Sequence, residues 1–256
     1  MLTCLAGCGR NKVRILAADT STMSGSIALL EDGALTAELT LSSARTHNRR
    51  LLKAIDRLLE EAGWELESID ALATAAGPGS FTGLRIGMTT MKVLAWTLRK
   101  PYASIRTLDA LALPFSFSAH PVCTLLDARK DEVYFALFRP DAKGGLNLEI
   151  PYGASSPSQL VTILASRCSE PVIFCGDGFT AYASIWKEKL PELVIEPPPF
   201  FHIIRAASIG ELAARRFARG ESDDPRSSAP FYLRASEAEI NYPHLAEKSS
   251  GKPEII

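Results

Sequence analysis

No apolar run of roughly eighteen residues, the length a helix needs to cross a bilayer, occurs anywhere in the 256 residues, so no helical membrane span is expected. Nor is there an excess of one charge. Lys and Arg number 28 against 29 Asp and Glu, for a formal net charge of −1, which argues against a broad basic face gripping nucleic acid unaided. Any such role would be shared with another protein. Cysteines are few and odd in number, five with no CxxC pair, and Cys123 and Cys175 stand in apolar, strand-like runs where a reduced, buried thiol is expected. That usage points to reducing cytosol. Histidine is equally sparse. The four, at 47, 120, 202 and 244, form neither an HExxH nor an HxxxH pair, so a histidine-based metal site would have to be assembled from distant segments.

What is present is the composition of a globular protein, 46% hydrophobic and 22% charged, with enough chain for one large or two small domains. The opening "MLTCLAGCGRNK" contains Leu5-Ala6-Gly7-Cys8, which imitates a lipoprotein cleavage box. A working signal needs a basic segment and an apolar stretch of about 7–15 residues before the cleavage site, and Met1 to Gly7 leaves room for neither. Residues 1–12 are therefore expected to be a disordered or wrongly started extension.

"VRILAADTST" runs apolar into a polar end, and "GSIALLEDG" and "ALTAELTLS" follow across Asp32-Gly33, the signature of a hairpin. In "THNRRLLKAIDRLLEEAG", Leu51, Leu52, Ile55, Leu58, Leu59 and Ala62 make the stripe of an amphipathic helix, with Gly63 placed as its C-terminal cap. "SIDALATAAG" is a short buried strand, and Leu84 to Leu98 is a second helix closed by Pro101. The first hundred residues thus read β-β-β-α-β-α. A similar order restarts at "HPVCTLLDARKDEVYFALF", with a polar turn at Asp127 to Asp131, a helix in "SPSQLVTILASR", then strand, glycine turn and helix in "PVIFCGDGFTAYASIWKEKL". "AASIGELAARRFARG" is a last helix, and the chain from Glu221 onward is expected to be partly irregular. The predicted organisation is an extension over 1–12, an N-terminal lobe over 13–112, a C-terminal lobe over 113–205, and a helix returning toward the first lobe plus a polar tail over 206–256. Two α/β lobes of duplicated order predict an actin-like fold.

The segment Gly77-Pro78-Gly79-Ser80-Phe81-Thr82-Gly83 can aim backbone N–H groups and a helix N-terminus at an anion. It is neither a Walker A loop nor a dinucleotide fingerprint, because no Lys-Ser/Thr follows and the glycines run GxGxxxG. A tight strand-to-helix turn explains the same residues. Asp19, at the end of the first strand, could hold a metal-bound water under a phosphate, or it could cap its turn with Thr20 and Ser21 bonding local backbone. Asp127 stands in the corresponding place of the second lobe. An ATP cleft wants glycine just after such aspartates; Thr20-Ser21 and Ala128-Arg129 stand there instead. Arg45, Arg49, Arg50 and Lys53 gather at the start of the first helix, where cations oppose the helix dipole. They are either a solvated face or a surface for acidic groups or a phosphate on a partner.

"ILAADTST", "AAGPGSFTGLRIG", "LDARKDEVY" and "APFYLR" resemble the TsaB/YeaZ family over about residues 13 to 234, most specifically at GPGSFTGLRIG. The resemblance implies an actin/Hsp70/sugar-kinase (ASKHA) fold that has lost catalysis. It also implies a supporting role for a TsaD-like subunit that makes N6-threonylcarbamoyladenosine at position 37 of tRNAs reading ANN codons, with a TsaE-like ATPase in the assembly. TsaD carries the HxxxH pair, so ATP and metal belong to partner subunits and none is expected on this chain. Asp19, Thr20, Ser21, Gly77, Gly79, Ser80, Gly83, Asp127 and Arg129 are then a degenerate phosphate loop. The family's partners join through the first two helices as a four-helix bundle. That assigns Arg45, His47, Arg49 and Arg50, and on the second helix Arg85, Met88, Thr89, Met91 and Lys92, to the partner surface, with Trp96 sharing the 85-88-89-92 spacing; which face looks outward is not fixed by the sequence, and Met88 and Met91 suit an adaptable contact although a Met in a helix is more often core. A homodimer through the same helices is a further expectation. Two rivals remain: an ATP-dependent small-molecule kinase or ATPase of the same fold, with Asp19 and Asp127 catalytic, and a glycopeptidase, for which no nucleophile–base constellation is present.

Overall fold

The computed structural model describes residues 12–42 and 51–234, and among these the chain forms two compact units. The first comprises residues up to Ala75, Ile86–Ile105 and Arg205–Ser228, and the second comprises Ala76–Arg85, Arg106–Ile204 and the chain from Ala229.

The first unit is built on strands β1 (Arg14–Asp19), β2 (Ser24–Glu31), β3 (Ala34–Ser42), β4 (Ala71–Gly77) and β5 (Tyr102–Arg106), ordered β3-β2-β1-β4-β5. β1 and β2 pair antiparallel, β1 and β4 parallel. The hairpin between β2 and β3 turns at Asp32 and Gly33, with φ of 51° and 80°, the left-handed pair that a two-residue turn requires. Helices α1 (Leu51–Ala62) and α2 (Phe81–Leu98) join the strands in one apolar cluster that includes Leu16, Leu29, Ile55, Leu59, Leu72 and Met91. Gly63 ends α1 with φ 65° and Trp64 N donates to the Leu59 carbonyl, 2.9 Å, as the cap predicted. Leu52 does not belong to the buried stripe. It is 55% exposed, whereas Leu51, Ile55, Leu58 and Leu59 are buried, because these four already fill the arc that a helix can turn toward a sheet. α7 (Ala206–Ala218) lies against β1 and β2 so closely that a side chain on Gly210 would meet Leu30. Its first turn is tied down by Glu38, which accepts from Ala207 N at 3.0 Å and pairs with Arg205.

The second unit repeats the plan. Strands β6 (Val122–Arg129), β7 (Glu132–Pro140), β8 (Leu146–Ser155), β9 (Val172–Cys175) and β10 (Val194–Ile195) are ordered β10-β9-β6-β7-β8. Pairing is again antiparallel through β6, β7 and β8 and parallel from β6 to β9. α4 (Pro157–Arg167) opens with a complete capping box between Ser156 and Gln159, and Leu160 and Leu164 bury against Phe135, Phe174 and Trp186. Set beside the first sheet, this is the same sequence of three antiparallel strands, helix, parallel strand and helix. That duplication is the plan of the actin/Hsp70/sugar-kinase class.

Several elements go beyond the sequence reading. β8 carries Pro151, which speaks against a strand but is tolerated on the sheet edge where β8 lies. β5 and α3 (Thr107–Ala112) follow Pro101 within a dozen residues and are too short for a periodic signal. The single helix expected after the glycine turn of "PVIFCGDGFTAYASIWKEKL" is two, α5 (Asp177–Ala181) and α6 (Ala183–Lys189), broken where Tyr182 takes φ −124° and ψ 27°. Buried thiols are as expected: Cys123 and Cys175 are fully enclosed and burial pushes both well above the usual thiol range.

Candidate functional site

Backbone polar groups at a helix start must be satisfied by something, and in the glycine loop much of that is done by the loop's own chain. α2 begins at Phe81, three residues before its predicted start, because Ser80 caps it: the Ser80 hydroxyl accepts from Gly83 N at 3.3 Å and its carbonyl from Leu84 N at 2.8 Å. Gly77 N donates to the Thr107 hydroxyl, 3.1 Å. Gly77 takes φ 112°, and a methyl group there would stand 2.6 Å from the Phe231 carbonyl oxygen. Phe231 N in turn donates to the Ala76 carbonyl at 2.7 Å. Glycine at 77 is thus required both by backbone conformation and by the close approach of the C-terminal segment. Neither Thr107 nor Phe231 carries a motif, and both escape a reading of the sequence by position; only the "APFYLR" resemblance singled out the second.

In the first aspartate turn one carboxylate oxygen is bonded locally. Asp19, Thr20 and Ser21 are all buried, and the Asp19 carboxylate accepts from Ser21 N at 3.0 Å and from the Ser21 hydroxyl at 2.6 Å. Thr20 rests on Gly87 of α2, where a Cβ would collide with its hydroxyl. Of the two roles open to Asp19, this geometry supplies the turn cap. The second turn behaves alike. The Asp127 carboxylate accepts from Arg129 N at 2.8 Å and pairs with the Arg129 guanidinium at 3.1 Å, while Arg129, Lys130 and Asp131 all have positive φ. Asp177, unremarked in the sequence, accepts from Asp127 N at 2.9 Å. Burial pushes its carboxyl up against the hydrogen bond from that amide.

On α2 the assigned partner residues divide. Arg85 and Thr89 are exposed and Lys92 is half-buried. Met88 and Met91 are 2% and 0% exposed, so they do not lie on the outer face. They stand with Leu84 and Ala95 at spacings of four, three and four, the inward stripe of the helix, and Met91 belongs to the apolar cluster beneath the sheet. The exposed positions are Thr82, Arg85, Thr89, Val93, Trp96 and Thr97; Trp96 had been grouped with Arg85 by spacing, and Val93 was not singled out. Arg45, His47, Arg49 and Arg50 lie outside the described residues. Lys53 is on α1 beside Asp56, Arg57, Glu60 and Glu61, a shallow surface of mixed charge.

Among the described residues no group of His, Cys, Asp or Glu could hold a metal ion, and no helix is long and apolar enough to cross a membrane. His202 is structural: its Nδ1 accepts from Gly176 N at 3.1 Å and its ring stacks on Phe179.

Residues 36–242 match the family model described as TsaD: tRNA N6-adenosine threonylcarbamoyltransferase. The chain is 32% identical over 224 residues to the tRNA threonylcarbamoyladenosine biosynthesis protein TsaB of Escherichia coli (strain K12), covering 87% of this chain and 95% of that protein. A shorter stretch of 71 residues is 41% identical to the tRNA N6-adenosine threonylcarbamoyltransferase of Brucella ovis, 28% of this chain and 20% of that one. Among solved structures, YeaZ from Pseudomonas aeruginosa superposes with a TM-score of 0.74 at 30% identity, covering 86% of this chain and all of that one.

Proposed function

The chain belongs to the TsaB/YeaZ family, and from that premise we propose that it is a non-catalytic subunit in the formation of N6-threonylcarbamoyladenosine on tRNA, binding and supporting a TsaD-like catalytic subunit. The observation that carries the reading is the Asp19 turn, whose carboxylate is buried and bound by Ser21. A carboxylate meant to hold a hydrated cation under a phosphate has to present its oxygens to the ligand; the Asp19 side chain is fully buried, and its Oδ1 takes both the amide and the hydroxyl of Ser21. Asp127 does the same with Arg129. The transfer chemistry, the metal and ATP then belong to the partners, a TsaD-like subunit and a TsaE-like ATPase, and tRNA is met through the complex. The cytoplasm is the compartment in which such an assembly works. Without TsaD the same helices can pair two copies of this chain.

The test is catalytic silence. Purified chain given threonylcarbamoyl-adenylate and unmodified tRNA should yield no modified nucleoside, and should turn over no ATP when supplied with it and magnesium. Modified nucleoside from the chain alone overturns the reading, and steady ATP turnover favours the kinase.

A further inference from the structure

Residues 229–234 belong to the second unit, as do Ala76–Arg85 and Arg106–Ile204, and they form neither helix nor strand. Nor do they enter the core: residues 231 to 234 are all half-buried. They rest on a surface assembled from four separate stretches of the same unit. Phe231 N donates to the Ala76 carbonyl at 2.7 Å, and the Phe231 carbonyl lies so close to Gly77 that a side chain there would collide with it. The Arg106 guanidinium lies over the Phe231 ring, 3.3 Å from its centroid, and the Tyr152 ring meets the same ring edge-on at 5.7 Å. One residue on, the Tyr232 ring stacks on Phe81 at 4.8 Å, and its hydroxyl accepts from Arg85 Nε at 3.2 Å. Arg234 ends the row in an ion pair with Glu132, 3.0 Å.

That surface is held in shape by bonds in which the segment takes no part. Gly77 N donates to the Thr107 hydroxyl at 3.1 Å, the Tyr152 hydroxyl donates to the Asp109 carboxylate at 2.7 Å, and the Arg85 guanidinium lies over the Phe81 ring at 3.8 Å. An extended, half-buried segment seated on side chains that are fixed without it has the arrangement of a peptide on a preorganised receptor. We propose that the second unit contains a peptide-binding groove for an extended aromatic-aromatic-x-Arg sequence, and that residues 229–234 are its resident ligand, a clasp that lifts while the unit stays folded. The groove sets the ligand's chemistry: a guanidinium and a ring edge for the first aromatic residue, a ring and a donor for the second, and the Glu132 carboxylate for the arginine. Lifting short of unfolding follows from the burial, because segments with little enclosed apolar surface open at free energies well below that of the whole unit. Seated, the clasp covers Gly77; lifted, it leaves that end of the glycine loop open.

The test uses the full chain and a synthetic peptide of the sequence Ala229 to Arg234, blocked at both ends and carrying a fluorophore. The double variant Phe231→Ala/Tyr232→Ala vacates the groove. By fluorescence anisotropy it should bind the peptide at least about tenfold more tightly than the parent does, since the parent's own clasp competes at an effective concentration on the order of millimolar. At ten times its Kd the peptide should raise the variant's melting temperature by about 3–6 °C. A peptide with alanine at both aromatic positions should do neither. A folded variant that takes up no peptide, or binds it no better than the parent, overturns the proposal. Hydrogen exchange on the parent chain supplies a reading that needs no variant: the Phe231 amide should exchange at least about a hundredfold faster than the Ile173 amide, which donates to the Pro121 carbonyl between β9 and β6. Equal rates for the two amides would mean that the segment leaves only when the unit unfolds, and the proposal then falls even where the double variant does not fold.

Discussion

Met88→Glu should abolish cooperative folding, whereas Val93→Glu, five residues along the same helix, should fold like the parent. Met88 is 2% exposed on the inner stripe with Leu84, Met91 and Ala95, and Val93 is 57% exposed. A carboxylate forced into the Met88 position loses its water without gaining a cation, and the apolar contacts of the thioether are lost as well. An unpaired buried charge of this kind costs several kcal/mol, set against a total stability of about 5–15 kcal/mol for a typical domain. Circular dichroism during heating distinguishes the two variants. A folded Met88→Glu chain that fails to bind its partner would instead put Met88 on the outside of the helix.

Gly176→Ala should lower the melting temperature by about 6–12 °C, the shift that about 3 kcal/mol produces in a chain of this size. Gly176 has φ 111° and ψ 168°, a region essentially confined to glycine, where an L-residue is strained by about 1–3 kcal/mol. Its added methyl group would also run into the Leu125 carbonyl oxygen of β6 and stand 2.8 Å from Leu111. Overpacking against a central strand adds about 1–3 kcal/mol, because backbone cannot rotate aside as a long side chain can. The Gly176 N–H itself donates to His202 Nδ1 at 3.1 Å and fixes the turn from the other side. A melting temperature within a degree or two of the parent would mean that the turn after β9 can relax, contrary to its close packing on Leu125 and Leu111.

The same physics explains what the sequence disclosed. Gly63, Asp32-Gly33 and the loop from Gly77 to Gly83 are legible because few other residues tolerate their backbone, and the repeated strand order is legible because each strand alternates or runs apolar. The two aspartate turns were open to a second reading because Asp serves equally as ligand and as turn cap; only the bonds to Ser21 and Arg129 show which oxygens are taken. The face of α2 was misjudged at Met88 and Met91 because a thioether suits both a core and an adaptable contact, and helical spacing alone does not say which of two adjacent stripes meets the sheet. Leu52 is the converse case, a leucine at the edge of the stripe that stays outside. The contact of Tyr232 with Arg85 was beyond sequence reasoning, since it joins residues 147 apart in a segment without periodicity.

The claim at the centre is that this chain works by joining a catalytic relative. Sedimentation of the full chain with the TsaD-like subunit of the same genome, across a concentration series, tests it most directly. The account predicts a one-to-one complex that forms at the expense of any homodimer and is lost with Val93→Glu; two species that sediment independently at all concentrations would contradict it.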